Sequence, residues 1–205
     1  MSEVVLLSDT TLSAEVGNSR YMGPYAVAAA ARKAGTSTVV IDYFTRHPDF
    51  FTYIESFLTS ETLAVGISST FLSPVSGFVH NRKQRKDDLK SYYRGDLWFD
   101  DPADFKAWFS KLKELMNRRS PRAKLVLGGV KSQFAIFRSE LYSVFDYVIL
   151  GAAEQTFTHL VDALRRGESI PCKNINGILF VANDLDVQNK GCPEAEWGFR
   201  DGVQS

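Results

Sequence analysis

The candidates for chemistry in this chain are small, hydroxyl-bearing or glycine residues that follow short apolar runs. Val4–Leu7 is followed by Ser8, Asp9, Thr10 and Thr11, and the loop after them closes on Gly23. Leu63–Ile67 is followed by Ser68, Ser69 and Thr70. Lys124–Leu127 leads into Gly128, Gly129 and Val130, and Tyr147–Leu150 into Gly151, Ala152, Ala153 and Glu154. Hydroxyls at such positions can hydrogen-bond a ligand, and small residues let the backbone approach a flat one. For any single strand end, tight turn formation explains the same residues. Repeated along one rim, they favour a broad, shallow ligand surface.

Other chemistries lack their residues. No G-x-G-x-x-G follows the first apolar run, where Gly17 and Gly23 stand six apart. A dinucleotide pyrophosphate needs those glycines to reach the helix N-terminus. Asp42 ends the second run where a ribose-binding acid would stand, but without the glycine loop it reads as a turn residue. Neither a phosphate-binding G-x-x-x-x-G-K-[ST] nor a G-x-S-x-G nucleophile elbow is present. His47 precedes Pro48 at a helix start, and His159 lies off the apolar stripe of its helix. His80 stands in a long insertion, and Cys172 and Cys192 lack close cysteine or histidine neighbours. No metal site is expected from this set.

The elements that position the rim follow from apolar spacing. Short β-branched or aliphatic runs at Val4–Leu7, Thr38–Ile41, Leu63–Ile67, Lys124–Leu127, Tyr147–Leu150 and Ile178–Val181 read as strands. Pro24–Ala34, closed by Gly35, carries helix punctuation at both ends. Pro48–Leu58 has helical apolar spacing, and Ser132–Val144 reads as a further helix. Asp101 and Pro102 start another helix, with Phe105, Trp108, Phe109, Leu112, Leu115 and Met116 on one stripe. Glu154–Arg166 turns Phe157, Leu160, Val161 and Leu164 inward before Gly167. Strands that are apolar throughout and alternate with helices predict a parallel sheet covered on both faces. The fold class is therefore α/β: a doubly wound, mostly parallel, five- to six-stranded sheet of flavodoxin or Rossmann type. Ligands of such sheets bind beyond the carboxyl ends of the strands.

Phe71–Asp101 breaks this pattern on the ligand rim. It is several times longer than a usual βα loop. It holds the basic run Arg82–Lys86 and the aromatics Phe78, Tyr92, Tyr93, Trp98 and Phe99. The charges suit a solvated loop, whereas the aromatics suit a cap over a flat ligand or a docking face. The 24 basic and 24 acidic residues balance, which gives no reason to expect a nucleic-acid partner. Two cysteines make no disulfide framework and fit a reducing compartment. No signal peptide or membrane-spanning run is read, so a cytoplasmic protein with no membrane partner is expected.

Five segments, in order, resemble the N-terminal cobalamin-binding domain of B12-dependent radical SAM proteins. "GPYAVAAAARKAGTSTVVIDYF" (Gly23–Phe44) is similar to that family's first helix and second strand, which closes on aspartate. "LAVGISST" (Leu63–Thr70) resembles its third strand and "KLVLGGVKS" (Lys124–Ser132) its Gly-Gly fourth strand. "FDYVILGAAEQTFTHLVDAL" (Phe145–Leu164) resembles its fifth strand and the helix after it, and "INGILF" (Ile175–Phe180) its closing strand. There are two departures. The family's G-E-G-E is Gly151-Ala152-Ala153-Glu154 here, and the D-x-H-x-x-G of methionine synthase-type modules has no counterpart, because Asp9-Thr10-Thr11 carries no histidine.

The resemblance implies a cobalamin cofactor over the carboxyl edge of the sheet. Its nucleotide tail would enter a crevice formed by Ser8–Gly23, Ser68–Thr70, Gly128–Val130 and Gly151–Glu154. The cobalt would not be ligated by a histidine of the first loop; His80 is the one histidine placed to try. Residues 1–182 would form this domain, with the insertion at 71–101. Residues 183–205 would lead towards a radical SAM domain that is missing from this sequence. S-adenosylmethionine and the [4Fe–4S] cluster would belong to that domain, since the cluster needs several thiolates. This chain alone is expected not to be catalytic. Two other readings stay open: an interaction scaffold of the same fold that no longer binds cobalamin, and a small-molecule enzyme of the nucleotide-binding class.

Overall fold

The computed structural model describes residues 2–8, 12–13, 17–18, 22–42, 44, 47–68, 102–129, 132, 143–168 and 178–180. The elements along the chain are β1 (Val4–Ser8), β2 (Leu12–Ser13), β3 (Gly17–Asn18), α1 (Met22–Lys33), β4 (Thr38–Asp42), α2 (Phe50–Glu55) and β5 (Ala64–Ser68). They continue with α3 (Pro102–Arg119), β6 (Lys124–Gly128), β7 (Tyr147–Ile149), α4 (Glu154–Arg165) and β8 (Ile178–Phe180).

The main sheet has the order β4-β1-β5-β6-β7-β8. Its first five strands are parallel, and β8 runs antiparallel to β7. Counted along that sheet alone, this is the flavodoxin-like order, which reverses between β1 and β5. Because parallel strands need crossovers, helices must cover both faces, and the residues alternate accordingly. Val4, Leu6, Ala64, Val126, Tyr147 and Ile149 pack with α1 and α4. Val5, Leu7, Ile41, Val65, Ile67, Leu125, Leu127 and Val148 pack with α2 and α3.

The two faces are filled differently. On the second, Phe44, Phe50, Phe105, Phe109 and Phe145 are all buried, and Trp108 packs against this cluster. Ring centroids lie 5.1 Å apart for Phe50–Trp108 and 5.0 Å apart for Phe109–Phe145, normal separations for packed aromatics. On the first face, α1 buries only Ala28 and Ala31. Alanine has little volume, so α1 lies close to the sheet without filling the space near its own N-terminus.

Local chemistry sets the element ends. α1 starts at Met22, two residues before the predicted Pro24. Proline is tolerated there because the first-turn N–H groups have no partner within the helix. α1 stops where Gly35 takes φ 84°, and the Thr36 N–H donates back to the Ala31 carbonyl. α2 is shorter than the predicted Pro48–Leu58; the Asp49 carboxylate caps it by accepting from the Thr52 N–H. The predicted Thr10–Gly23 loop contains the two-stranded antiparallel ladder of β2 and β3. The Phe71–Asp101 insertion lies outside the described residues, as do all but Ser132, Ser143 and Val144 of the predicted Ser132–Val144 helix.

Half-buried Asp146 joins α3 to the sheet. One of its oxygens accepts from the Lys113 ammonium at 3.0 Å and the other from the Leu125 N–H at 2.8 Å. At the opposite end of the strands from the glycine rim, Glu3 accepts from the Arg165 guanidinium and the Ser37 N–H, both at 3.0 Å. Arg165 also donates to Thr36. The hydrogen bond from Arg165, helped by that from the Ser37 N–H, lowers the Glu3 carboxyl below its ordinary range against the opposing effect of burial.

Candidate functional site

Parallel pairing in register brings the strand ends to one level. Ser8 is paired with Asp42, Leu7 with Ile67, and Ser68 with Gly128. The α1/α4 side of this edge encloses a cavity of about 280 Å³. Its inner walls are Leu6, Val27, Val126, Ile149 and Phe157, with the backbone of Gly66 between them. Its rim is made by Gly23 and Pro24 of α1, Ser68, Gly128, Gly129, and Gly151–Glu154.

Of the predicted site residues, Gly23, Ser68, Gly128, Gly129, Gly151, Ala152, Ala153 and Glu154 therefore lie around one opening. Ser8 is beside it rather than in its lining. Asp9, Thr10, Thr11, Ser69, Thr70 and Val130 lie outside the described residues. Ser8 is fully buried, and among the described residues its hydroxyl has no hydrogen-bond partner. Strand alternation turns Ser8 to the same face as Leu6, which is the cavity face. A buried polar group without a partner is uncommon and is costly unless something satisfies it.

Sequence reasoning missed Gly66, which lines the cavity and lets Leu6 pack close over the strand. Gly66 sits mid-strand in β5, and a Cβ built there would come within 2.6 Å of Leu6 Cδ2 and 3.6 Å of the Phe157 ring. Glycine weakens a strand interior, so a glycine inside a buried aliphatic run signals close approach to something. That signal was legible in the Ala64–Ile67 run. The role of Phe157 was not, since it reads as an ordinary inward residue of its helix, and Val27 carries no signal of its own in an alanine-rich helix. Gly23 and Gly128 differ from Gly66: a Cβ at either would meet nothing within 4 Å. Packing does not require a glycine at those two positions, and their lack of side chains keeps the opening wide.

α4 begins beside this opening after Gly151, whose φ is 73°. Ala153, at the N-cap, offers no side-chain hydrogen bond to the first turn. Glu154 is the first-turn acid and complements the helix dipole. The Tyr25 hydroxyl donates to the Asp42 carboxylate, tying α1 to β4. Asp42 thus has an internal partner and is absent from the cavity lining. His159 is exposed, and His47 stacks on Tyr53 with centroids 3.7 Å apart. Among the described residues, no group of three or more His, Cys, Asp or Glu is placed to hold a metal ion. Cys172, Cys192 and His80 are outside the described residues.

An apolar cavity with few polar groups at its mouth is the usual form of a small-molecule site. At about 280 Å³ it is small for a whole cofactor but suits one flat end of a larger molecule. The apolar walls and the open rim of small residues lie together at the carboxyl edge of the sheet.

No family model matches the chain. No curated protein matches it. Among solved structures it is similar to the radical S-adenosylmethionine methyltransferase TsrM from Kitasatospora setae with tryptophan substrate and an S-adenosylmethionine analogue bound. That match has a TM-score of 0.56 and 17% identity, and covers 87% of this chain and 28% of the other. The TsrM structure with cobalamin and a [4Fe–4S] cluster bound gives 0.54 and 16%, covering 90% and 30%. The cobalamin-dependent S-adenosylmethionine radical enzyme OxsB with aqua-cobalamin bound gives 0.52 and 14%, covering 92% and 23%. This chain spans less than a third of the length of these enzymes. At such identities the likeness is one of fold, and the fold that this chain shares with segments of cobalamin-dependent radical enzymes is the doubly wound α/β sheet.

Proposed function

We propose that this chain is a corrinoid-binding module whose ligand lies across the carboxyl edge of β1, β5, β6 and β7. The observation that carries the reading is the apolar cavity between α1 and α4 beneath a rim of small residues. The corrin face would rest on Gly128, Gly129 and Gly151–Ala153, and the nucleotide tail would descend between α1 and α4. Ser8 would meet a polar atom of the ligand near the top of that descent, with Ser68 and Glu154 at the mouth. Asp9, Thr10, Thr11, Ser69, Thr70, Val130 and Gly23 complete the proposed binding set. The fold likeness to TsrM and OxsB supports the reading, as does their binding of cobalamin.

Bound cobalamin would supply cobalt-centred methyl transfer or related chemistry, and the protein would hold and orient it. The chemistry would be completed with a radical SAM domain carrying S-adenosylmethionine and the [4Fe–4S] cluster. On this proposal, residues 1–182 are the module and 183–205 lead to that domain.

The test is incubation of the purified chain with hydroxocobalamin in the dark, then gel filtration with absorbance detection. Comigrating corrinoid with a spectrum shifted from the free form is expected. Gly128→Phe has open space at its Cβ, so the fold should survive while the rim is blocked and comigration lost. Absence of comigration at high protein concentration would sink the proposal and leave the interaction-scaffold reading.

A further inference from the structure

The cavity walls carry a chemical preference of their own. Deep between α1 and α4, the described lining side chains are hydrocarbon: Leu6, Val27, Val126, Ile149 and Phe157. The described polar side chains, Ser68 and Glu154, stand at strand and helix ends on the rim. Gly66 exposes backbone, but β5 is flanked by β1 and β6, with Gly66 in register with Leu6 on one side and Val126 on the other. Its N–H and C=O lie in those ladders, which take up the N–H and the in-plane acceptor direction of the carbonyl. Among the described residues, a heterocycle entering this space meets no side-chain donor or acceptor along its far edge.

We infer that this cavity selects corrinoids by their terminal base, admitting a benzimidazole with a hydrocarbon edge and rejecting a purine. The inference rests on the corrinoid reading above. Both bases are flat bicycles of similar size, so shape alone separates them little. A purine also carries an exocyclic amine and additional ring nitrogens. Buried between the described hydrocarbon walls, below Ser8, they lose water and gain no side-chain partner there, a penalty that corresponds to roughly ten- to a hundredfold in affinity. A methylated benzimidazole presents only carbon at that edge and gains from burial.

Three probes test this against the purified chain by equilibrium dialysis in the dark: hydroxocobalamin, its analogue with adenine as terminal base, and cobinamide, which has no base. Cobalamin should bind most tightly, with the adenine analogue about ten- to a hundredfold weaker. Cobinamide should also bind more weakly than cobalamin, because it leaves the cavity unfilled. Val27→Thr adds a hydroxyl to the wall with nearly unchanged shape, and should narrow the base preference several-fold. A preference unmoved by Val27→Thr overturns the assignment to the wall. Equal affinity for the two base-bearing corrinoids overturns the inference and leaves the module reading standing. Equal affinity for all three does the same, by removing the base from the cavity. If none binds, the corrinoid reading itself fails and this inference falls with it. The wild-type affinities decide the selection even where the variant does not fold.

Discussion

Gly66→Ala separates the cost of folding from the cost of binding. The added Cβ would stand 2.6 Å from Leu6 Cδ2, closer than real carbon contacts, and 3.6 Å from the Phe157 ring, which is ordinary contact. Only Leu6 must move. Overpacking a filled core costs about 1–3 kcal/mol. Leu6 lines the cavity, so the end of its side chain can rotate into open space. This places the strain near the low end of that range. Alanine also restricts the unfolded chain more than glycine does, which returns roughly 0.5–1 kcal/mol. The two nearly offset, and the net loss should stay within about 1 kcal/mol. The space lost to Leu6 is the space proposed for the ligand, so cobalamin affinity should fall at least roughly tenfold, the equivalent of about 1.4 kcal/mol. Urea unfolding gives the first quantity, from a midpoint shift at unchanged slope. A cobalamin titration of the same preparation gives the second. A stability loss beyond about 3 kcal/mol would show that Leu6 has nowhere to go. Unchanged cobalamin affinity in a folded variant would show that the ligand does not use the cavity.

Two further outcomes follow from polar contacts far from the rim. Asp146→Ala removes the acceptor of the Leu125 N–H and the partner of Lys113, and should cost about 1–3 kcal/mol in urea unfolding, with little effect on any ligand. The Glu3–Arg165 contact should make stability fall in acid. The folded-state pKa of Glu3 is lowered, so its contribution is complete above the ordinary glutamate range and is lost as pH drops through the folded value. Both partners are partly exposed, which limits the pair to about 0.5–1 kcal/mol. Comparing Glu3→Gln with the parent chain in melts from pH 7 to pH 3 checks it: the difference should shrink towards low pH.

Much of the architecture was readable because local and global requirements agree. Strands buried on both faces must be apolar throughout, and Val4–Leu7, Leu63–Ile67 and Lys124–Leu127 announce themselves that way. Helices with one buried face show it in their spacing, as Phe105, Phe109, Leu112 and Met116 do in α3. Less readable were the features fixed by a few hydrogen bonds. The Asp49 cap sets the start of α2 at Phe50, and the β2–β3 ladder is two residues long on each side, too short for any periodicity to register. The antiparallel direction of β8 was also hidden, since a three-residue apolar run reads alike in either direction.

The site divides along the same line. Small residues after strands are a local property, so the rim of Gly23, Ser68, Gly128, Gly129 and Gly151–Glu154 could be named from the chain alone. That these residues surround one opening depends on strand order and register, which pair Ser68 with Gly128 and set β1 beside β5. The cavity depends on distances between elements far apart in sequence. Leu6 and Gly66 meet only after two crossovers and Phe157 joins them after two more, and whether an inward residue there fills space or leaves it is settled by the volumes of all three together. Composition and spacing carry no record of that sum, because packing is a property of neighbours in space.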